Sequence, residues 1–175
     1  MKRLSLLLLV VVVLAIWAWP ALAQDTPTLS NLEIALWPEY DRPEVLVIYQ
    51  GEYAPGTPMP VPVELRIPAR VGAPTAVAYA GEGGQRFNQE HTTRVEGDWL
   101  VVSFQLPTPG FQLEYYDALS IDSEGGRTYT YSFTADYAIE ALGLEFQVPP
   151  TSDGFALDPP ADSVAPEADG LTYHL

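Results

Sequence analysis

The sequence predicts an all-β protein, an antiparallel β-sandwich of the immunoglobulin/fibronectin-like type with about eight strands. Three observations lead to this prediction. Apolar and polar residues alternate with a period of two through most of the chain, as they do in half-buried strands. Clusters of Pro, Gly and Asp separate these stretches, in a chain of 175 residues that contains 17 Pro and 13 Gly. No convincing longer stretch has the apolar spacing of a helix.

The first half of the chain contains four predicted strands. Residues 32–37 place Leu or Ile at every second position, whereas residues 45–49 are apolar on both faces and rich in β-branched side chains, which predicts a central strand. Pro62 cannot donate a ladder hydrogen bond, so we expect the strand at residues 61–67 to lie at a sheet edge or to begin at a bulge. Residues 75–80 form a weaker strand, and a polar hairpin or loop follows them.

Four more strands are predicted in the second half. Residues 99–106 and 111–116 alternate clearly on either side of a Pro-Thr-Pro-Gly turn. Residues 129–133 alternate Tyr and Phe with Thr and Ser, and residues 142–148 give the last clear alternation. The segment 151–175 is a Pro- and Asp-rich tail, and its final residues resemble the beginning of a further strand.

Residues 1–23 have the composition of a secretory signal peptide. Two basic residues precede an apolar run, and Ala-Leu-Ala supplies the small side chains that signal peptidase requires. An uncleaved membrane anchor is the alternative, because about 20 apolar residues can span a bilayer. In either case we expect the remainder outside the cytoplasm, secreted or associated with the cell envelope. It comprises a polar lead-in at residues 24–30 and a sandwich at residues 31–150, with two small sandwiches divided near residues 118–126 as the alternative.

The charge balance excludes several classes of function. Beyond the leader the basic residues are six arginines, against 23 Asp and Glu, and such a surface repels nucleic-acid phosphates and anionic lipid headgroups. We therefore expect no nucleic-acid binding and no peripheral binding to an anionic membrane. The absence of Cys excludes disulfides, a thiol nucleophile and a thiolate metal site. His91 and His174 are the only imidazoles, so a site built on two or three His is not expected.

One loop combines aromatic and charged residues between the first two strands. Two Pro stiffen it, and loops at the ends of sandwich strands commonly bind ligands. In this candidate ligand-binding site the aromatic rings would offer flat faces to a sugar or peptide, and the charged groups would fix its orientation. The alternative, which we favour, is that the rings cap the core and the arginine pairs with a nearby acid. The residues concerned are Trp37, Glu39, Tyr40, Asp41 and Arg42.

Carboxylates in a Gly-rich loop form a second and weaker candidate site. Asp117, Asp122 and Glu124 are candidate ligands for Ca²⁺, which takes about six to eight oxygens, but their spacing is not that of an EF-hand. A solvated acidic loop is the favoured alternative. The chain has no Gly-x-Ser-x-Gly elbow, no His-Glu-x-x-His and no phosphate-binding loop. We expect no catalytic residue and no cofactor other than this candidate Ca²⁺.

Five segments of the chain form a recognisable set. They are LEIALWPEYDRP at residues 32–43, residues 45–49, PTPGFQLEYYD at residues 107–117, residues 135–138 and residues 169–173. This set resembles a family of uncharacterised secreted or membrane-anchored bacterial β-sandwich ectodomains, associated with green non-sulfur bacteria. The resemblance implies an extracytoplasmic domain, which longer members follow with further strands, a membrane span and sometimes a Cys-rich zinc ribbon. This chain has neither that span nor Cys, so we expect a C-terminally truncated member.

Together these observations predict a non-catalytic binding or scaffolding module at the cell envelope, with an envelope protein or a polysaccharide as its partner. A carbohydrate-binding or carbohydrate-acting domain that uses Trp37 and Tyr40 is one alternative. The other is a structural spacer, the ectodomain of a longer membrane-anchored protein. We expect membrane anchoring only if the leader stays uncleaved or the full protein is longer.

Overall fold

The computed structural model describes residues 27–148, 152–167 and 170–175, and most of their regular structure is strand. The predicted signal peptide at residues 1–23 lies outside the described residues. Within them, a single turn of 3₁₀ helix occupies Ala69–Val71. No helix in this part of the chain is long and apolar enough to cross a membrane.

The strands of the described residues are numbered in chain order. They are β1 (Leu29–Pro38), β2 (Glu44–Tyr53), β3 (Val61–Pro68), β4 (Ala76–Ala80), β5 (Arg86–Asn88), β6 (Thr92–Glu96), β7 (Trp99–Leu106), β8 (Gly110–Ala118), β9 (Ser120–Ile121), β10 (Arg127–Thr128), β11 (Leu142–Val148), β12 (Ser163–Glu167) and β13 (Gly170–His174).

Most of these strands form two sheets that share one core. The large sheet has eight strands in the order β12-β13-β11-β1-β2-β8-β4-β5, the small sheet has the order β3-β7-β6, and β9 and β10 form a separate hairpin. Neighbouring strands are antiparallel except β1 and β11, which run parallel. The prediction of an all-β, mainly antiparallel sandwich is therefore confirmed. Its immunoglobulin/fibronectin-like class stays a prediction.

The core lies between the two sheets and follows from the alternation in the sequence. Ile34 of β1 and Val47 of β2 are fully buried, and Leu65 of β3 and Val102 of β7 belong to the same apolar cluster from the other sheet. Burying one such side chain stabilises the fold by about 1.5–3 kcal/mol. The strand β2 is interior to the large sheet, as its two apolar faces predict, and β3 is an edge strand, as Pro62 predicts.

The strand predicted at residues 129–133 is not formed. Only Arg127–Thr128 pairs, as β10, and residues 129–133 have no ladder partner. Tyr129, Tyr131 and Phe133 nevertheless pack against the core. Alternation indicates which side chains face the core and does not require a neighbouring strand, so these three rings pack on the core although no ladder forms.

Tyrosine hydroxyl groups attach this segment to the large sheet. The hydroxyl of Tyr131 donates to that of Tyr49 at 2.8 Å, and the Tyr49 hydroxyl lies 3.5 Å from that of Tyr115. The hydroxyl of Tyr129 donates to Asp117 at 2.9 Å. Burial raises the pKa of each of these four tyrosines, so the hydroxyls stay protonated and remain hydrogen-bond donors.

The tail contributes two strands to the large sheet. The strand β13 pairs with β11, and β12 pairs with β13 as a hairpin. The ring of Phe155 lies between Phe146 of β11 and Tyr173 of β13, with centroid separations of 4.9 and 4.8 Å. Strands from both sides of residues 118–126 belong to this one sheet, β8 before the segment and β11 after it.

Gly51 of β2 allows an aromatic ring to lie directly against the neighbouring strand. Gly51 pairs with Phe111 across β2 and β8, and a Cβ atom at Gly51 would lie 2.3 Å from Cζ of that ring. A glycine inside a strand has no side chain to pack. Here the buried ring of Phe111 fills the space and shields the glycine backbone.

The substitution Gly51→Ala is expected to lower the free energy of unfolding by about 1–3 kcal/mol, because the added methyl group forces the Phe111 ring from its packed position. Chemical denaturation measures this loss. In a Phe111→Leu background the same change should cost much less, since the smaller side chain leaves room for the methyl group. Equal losses of unfolding free energy in the two backgrounds would show that the steric clash with the Phe111 ring does not cause the destabilisation.

Candidate functional site

The large sheet has one face turned away from the core, here called the outer face. Towards one end of it, Ala35, Leu46 and Ile48 form a small buried apolar cluster, against which Trp37 and Tyr116 pack. Along the same strands, the outer positions further from this end are polar. They are Glu33 of β1, Gln50 of β2 and Gln112 of β8. The outer face therefore combines an aromatic end with a polar centre.

The loop between β1 and β2 adds exposed rings and charges at the aromatic end. The ring centroids of Trp37 and Tyr40 are 5.1 Å apart with their planes at 47°, and Tyr40 is 57% exposed. The guanidinium carbon of Arg42 lies 3.7 Å from the centre of the Tyr116 ring, which is a cation–π contact. We call these four side chains the aromatic corner.

Glu39 is fixed in this loop by its backbone and by an arginine distant in sequence. Its φ of 54° lies in the left-handed region that non-glycine residues seldom adopt, and its N–H donates to the carbonyl of Glu44 at 2.8 Å. Its carboxylate accepts hydrogen bonds from Arg127 at 2.9 and 3.0 Å. These hydrogen bonds lower the pKa of Glu39, while partial burial opposes them.

Asp41 and Arg42 also have partners within the protein. Asp41 accepts a hydrogen bond from the Tyr116 hydroxyl at 2.8 Å, and Arg42 lies 3.8 Å from the carboxylates of Asp41 and Glu44. The structure thus brings all five residues of the predicted binding loop to one corner. Their charged groups contact neighbouring side chains, and the ring of Tyr40 faces solvent. Binding of a ligand by this loop stays a prediction.

A groove of about 400 Å³ lies at the other end of the outer face. Glu33, Gln50 and Arg86 are among its lining residues. Arg86 donates to the amide oxygens of Gln112 at 2.6 Å and of Gln50 at 3.0 Å, so those oxygens point towards the arginine. Within the described residues the lining contains no Ser, Cys, His or Lys. The groove therefore presents hydrogen-bonding groups and the carboxylates of Glu33 and Glu52, but no hydroxyl, thiol, imidazole or amine side chain among its described lining residues.

The three carboxylates considered as candidate Ca²⁺ ligands do not form a group of potential metal ligands within the described residues. Asp117 lies on the inner face of β8, is 2% exposed, and accepts hydrogen bonds from Arg70 at 2.8 Å and from Tyr129 at 2.9 Å. Asp122 lies in the exposed β9–β10 turn and accepts a hydrogen bond from the N–H of Glu124 at 2.8 Å. Alternation therefore directs Asp117 into the core and away from the other two carboxylates, so this candidate metal site is not formed.

A different group of potential metal ligands lies on the outer face. One carboxylate oxygen each from Glu33 and Glu145 and one ring nitrogen of His174 all lie within 4.8 Å of one another. The three residues come from β1, β11 and β13, which are consecutive in the large sheet. The indole N–H of Trp37 donates to Oε1 of Glu145 at 2.9 Å. We call Glu33, Glu145 and His174 the outer cluster.

Sequence analysis missed the outer cluster because its members are far apart in the chain. They meet only through the pairing of β11 with β1 and with β13. One local feature points to the cluster: Gly143 lies inside β11, and a glycine within a strand often marks the close approach of another group. Here that group is the carboxylate of Glu33, whose Oε2 would lie 2.5 Å from a Cβ atom at Gly143.

Comparison with known proteins gives no family assignment. No protein-family model matches the chain. The curated proteins contain no significant match to it. Its function is therefore inferred from the chemistry of the residues described above.

Removing Arg70 is expected to destabilise the fold more than removing the charge of Asp117. Arg70→Met leaves a buried carboxylate without its cation, which should cost about 3 kcal/mol, at the low end for a broken buried pair because Tyr129 still donates. Asp117→Asn leaves Arg70 facing water, since that side chain is 60% exposed. Chemical denaturation at neutral pH measures the difference. Equal losses in the two variants would argue against an unpaired buried carboxylate as the cause of the destabilisation.

Arg127→Gln should raise the pKa of Glu39 towards its ordinary value, as followed by NMR titration of the side-chain carboxyl carbon. In the wild type the pair stabilises the fold above the pKa that Glu39 has in the unfolded chain. This contribution is lost as the pH falls through the lower pKa of the folded protein. Arg86→Gln is the matched control, because Arg86 contacts glutamines on the outer face. If Glu39 titrates identically in Arg127→Gln and the wild type, the hydrogen bonds from Arg127 are not the cause of its lowered pKa.

Proposed function

We propose that this protein is an exported, acidic β-sandwich module that binds or scaffolds at the cell envelope and performs no catalysis. Export is inferred from the leader sequence, and the excess of 23 acidic over 8 basic residues fits a soluble extracytoplasmic surface. The resemblance to secreted or membrane-anchored bacterial ectodomains favours the same location.

The observation that carries this proposal is the composition of the outer face. An exposed ring at Tyr40 adjoins the ring of Trp37, which packs with Tyr116 on one apolar cluster, and a polar groove lies further along the same strands. Residues held on strands are positioned more precisely than residues on free loops. A partner that contacts both ends would meet apolar rings at one end and hydrogen-bonding groups at the other, a combination typical of binding surfaces.

Carbohydrate binding is the second candidate function, and the geometry of the aromatic corner favours it specifically. The ring of Tyr40 is 57% exposed and adjoins that of Trp37, so it offers a face on which a sugar ring can stack. The amide groups of Gln50 and Gln112 and the guanidinium of Arg86 supply donors and acceptors for hydroxyl groups. A polysaccharide of the cell envelope is then the natural partner.

The third candidate is a structural spacer within a longer membrane-anchored protein. Longer members of the family that this chain resembles carry such a domain outside the membrane. A spacer would need the stable sandwich but not the exposed rings. The effect of changing Tyr40 therefore separates the spacer from the binding module.

Tyr40→Ala is expected to abolish retention of the protein on insoluble envelope polysaccharide while leaving the melting temperature nearly unchanged, because Tyr40 is mostly exposed. Trp37 is a poorer choice for this test, since it packs on the apolar cluster and hydrogen-bonds Glu145. A co-sedimentation assay measures retention. Phe87→Ala is the matched control, an exposed aromatic residue on the edge strand β5.

Two results would oppose the proposals in different ways. Equal retention of Tyr40→Ala and the wild type would remove the carbohydrate-binding candidate. Turnover of glycosides, esters or peptides that is lost on a single carboxylate substitution would show that the protein is an enzyme. That second result would overturn the non-catalytic assignment itself.

A further inference from the structure

We propose that Glu33, Glu145 and His174 bind one divalent transition-metal cation of the Zn²⁺ type, which ties β1, β11 and β13 together on the outer face. The inference does not depend on the identity of the ligand or partner proposed above. It rests on the position of the three side chains, the space that Gly143 leaves for Glu33, and an unpaired buried hydroxyl two residues from His174 on the same strand face.

The ligand atoms are held by interior strands of the large sheet. His174 pairs with Glu145 across β13 and β11, and its carbonyl accepts a hydrogen bond from the N–H of Asp162 on its other side. Ligands of one tetrahedral Zn²⁺ with bonds of about 2.0–2.2 Å lie roughly 3.5 Å apart. The atoms of the outer cluster, within 4.8 Å of one another, need only a small side-chain rotation to reach that spacing.

Gly143 makes the approach of Glu33 possible. Glu33 pairs with Gly143 across β1 and β11, and its carboxylate extends over the glycine, where a Cβ atom would lie 2.5 Å from Oε2. Any other residue at this position would displace the carboxylate. The glycine thus lets a ligand on β1 reach the ligands on β11 and β13.

An independent observation comes from Thr172, two residues before His174 on the same face of β13. Thr172 is 1% exposed, and its hydroxyl is the one buried side-chain polar atom without a hydrogen-bond partner in the described part of the chain. Buried hydroxyls are normally paired, and an unpaired one calls for an unseen partner such as water or an ion. A water bound to the cation would supply that partner, because Thr172 lies diagonally across the ladder from Glu145.

The electrostatics of the outer cluster also favour a cation. Two carboxylates lie close together, and the arginines of the described residues all contact other groups. Among these residues the side chains of Glu33 and His174 have no hydrogen-bond or ion-pair partner, whereas the side chain of Glu145 accepts one hydrogen bond from Trp37. That bond to Oε1 orients the carboxylate and leaves Oε2 for the ion, the usual role of a neighbour that supports a metal ligand.

The donor set selects the class of ion. Imidazole nitrogen suits Zn²⁺ and the related transition metals, whereas Ca²⁺ and Mg²⁺ prefer sites made of oxygen alone. Three protein ligands leave at least one coordination position for water. The ion would link three neighbouring strands, and it should stabilise the folded state by an amount that grows with the logarithm of the free ion concentration above the dissociation constant.

Titration of Zn²⁺ alone into the chelator-treated protein, followed by isothermal calorimetry, tests the proposal. We expect saturation at one ion per chain, with binding at least about tenfold weaker in His174→Ala and in Glu33→Gln. His91→Ala is the matched control and should bind as the wild type does, since His91 is exposed and lies outside the outer cluster. Zn²⁺ should raise the melting temperature of the wild type and of His91→Ala but not of His174→Ala.

Gly143→Ala keeps all three ligands and should still weaken Zn²⁺ binding about tenfold, because the methyl group displaces the Glu33 carboxylate. Melting of each variant without metal shows whether its fold is intact, and the half-buried position of these side chains on the outer face makes two independent ligand variants available. The proposal is overturned if Zn²⁺ does not saturate, if His91→Ala loses binding as His174→Ala does, or if His174→Ala and Glu33→Gln bind as the wild type does. Tighter binding of Ca²⁺ than of Zn²⁺ would overturn the assignment of the ion.

Discussion

The buried carboxylate of Asp117 is the interaction on which the rest of the sandwich depends. It lies on the inner face of β8, and an unpaired charge at such a position would be strongly unfavourable. Arg70, in the 3₁₀ turn that follows β3, and Tyr129, in the segment without a ladder, both donate to it. One carboxylate therefore connects the large sheet, the link from the small sheet and the irregular segment. The hydrogen bonds that Arg70 donates to Asp117 in turn raise the pKa of Arg70, so its guanidinium stays charged.

The two faces of the large sheet use polar residues in different ways. On the inner face the tyrosine hydroxyls and Asp117 satisfy one another, which fixes a single packing of the core. On the outer face the hydrogen bonding of side chains is incomplete. Arg86 donates hydrogen bonds to two glutamines and Trp37 donates one to Glu145. The carboxylate of Glu33 accepts no hydrogen bond from the described residues. Groups that are fixed in position but incompletely paired are suited to receive an ion or a ligand.

Local sequence patterns were sufficient to predict the features that residues close together in the chain form. The observed bounds of β7 and β11 agree with the alternation at residues 99–106 and 142–148, and the five residues of the β1–β2 loop meet because they are contiguous. The pairing of strands with one another was not predictable from these local patterns. The parallel contact of β1 with β11 and the outer cluster join strands that are widely separated in the chain, and alternation does not encode which strand lies beside which. The segment after β10 shows the same limit, since its inward tyrosines alternate without a neighbouring strand.

The parallel pairing of β1 with β11 also determines the order in which the strands can pair during folding. The hairpin of β1 and β2 can close as soon as both strands are available, but the second edge of β1 has no partner until β11 is available. An open strand edge is a template for association with other chains, and closure over such a sequence distance is slow. The folding protein therefore remains prone to aggregation until β11 covers the edge of β1, although nearly all of its core residues precede β11 in the sequence.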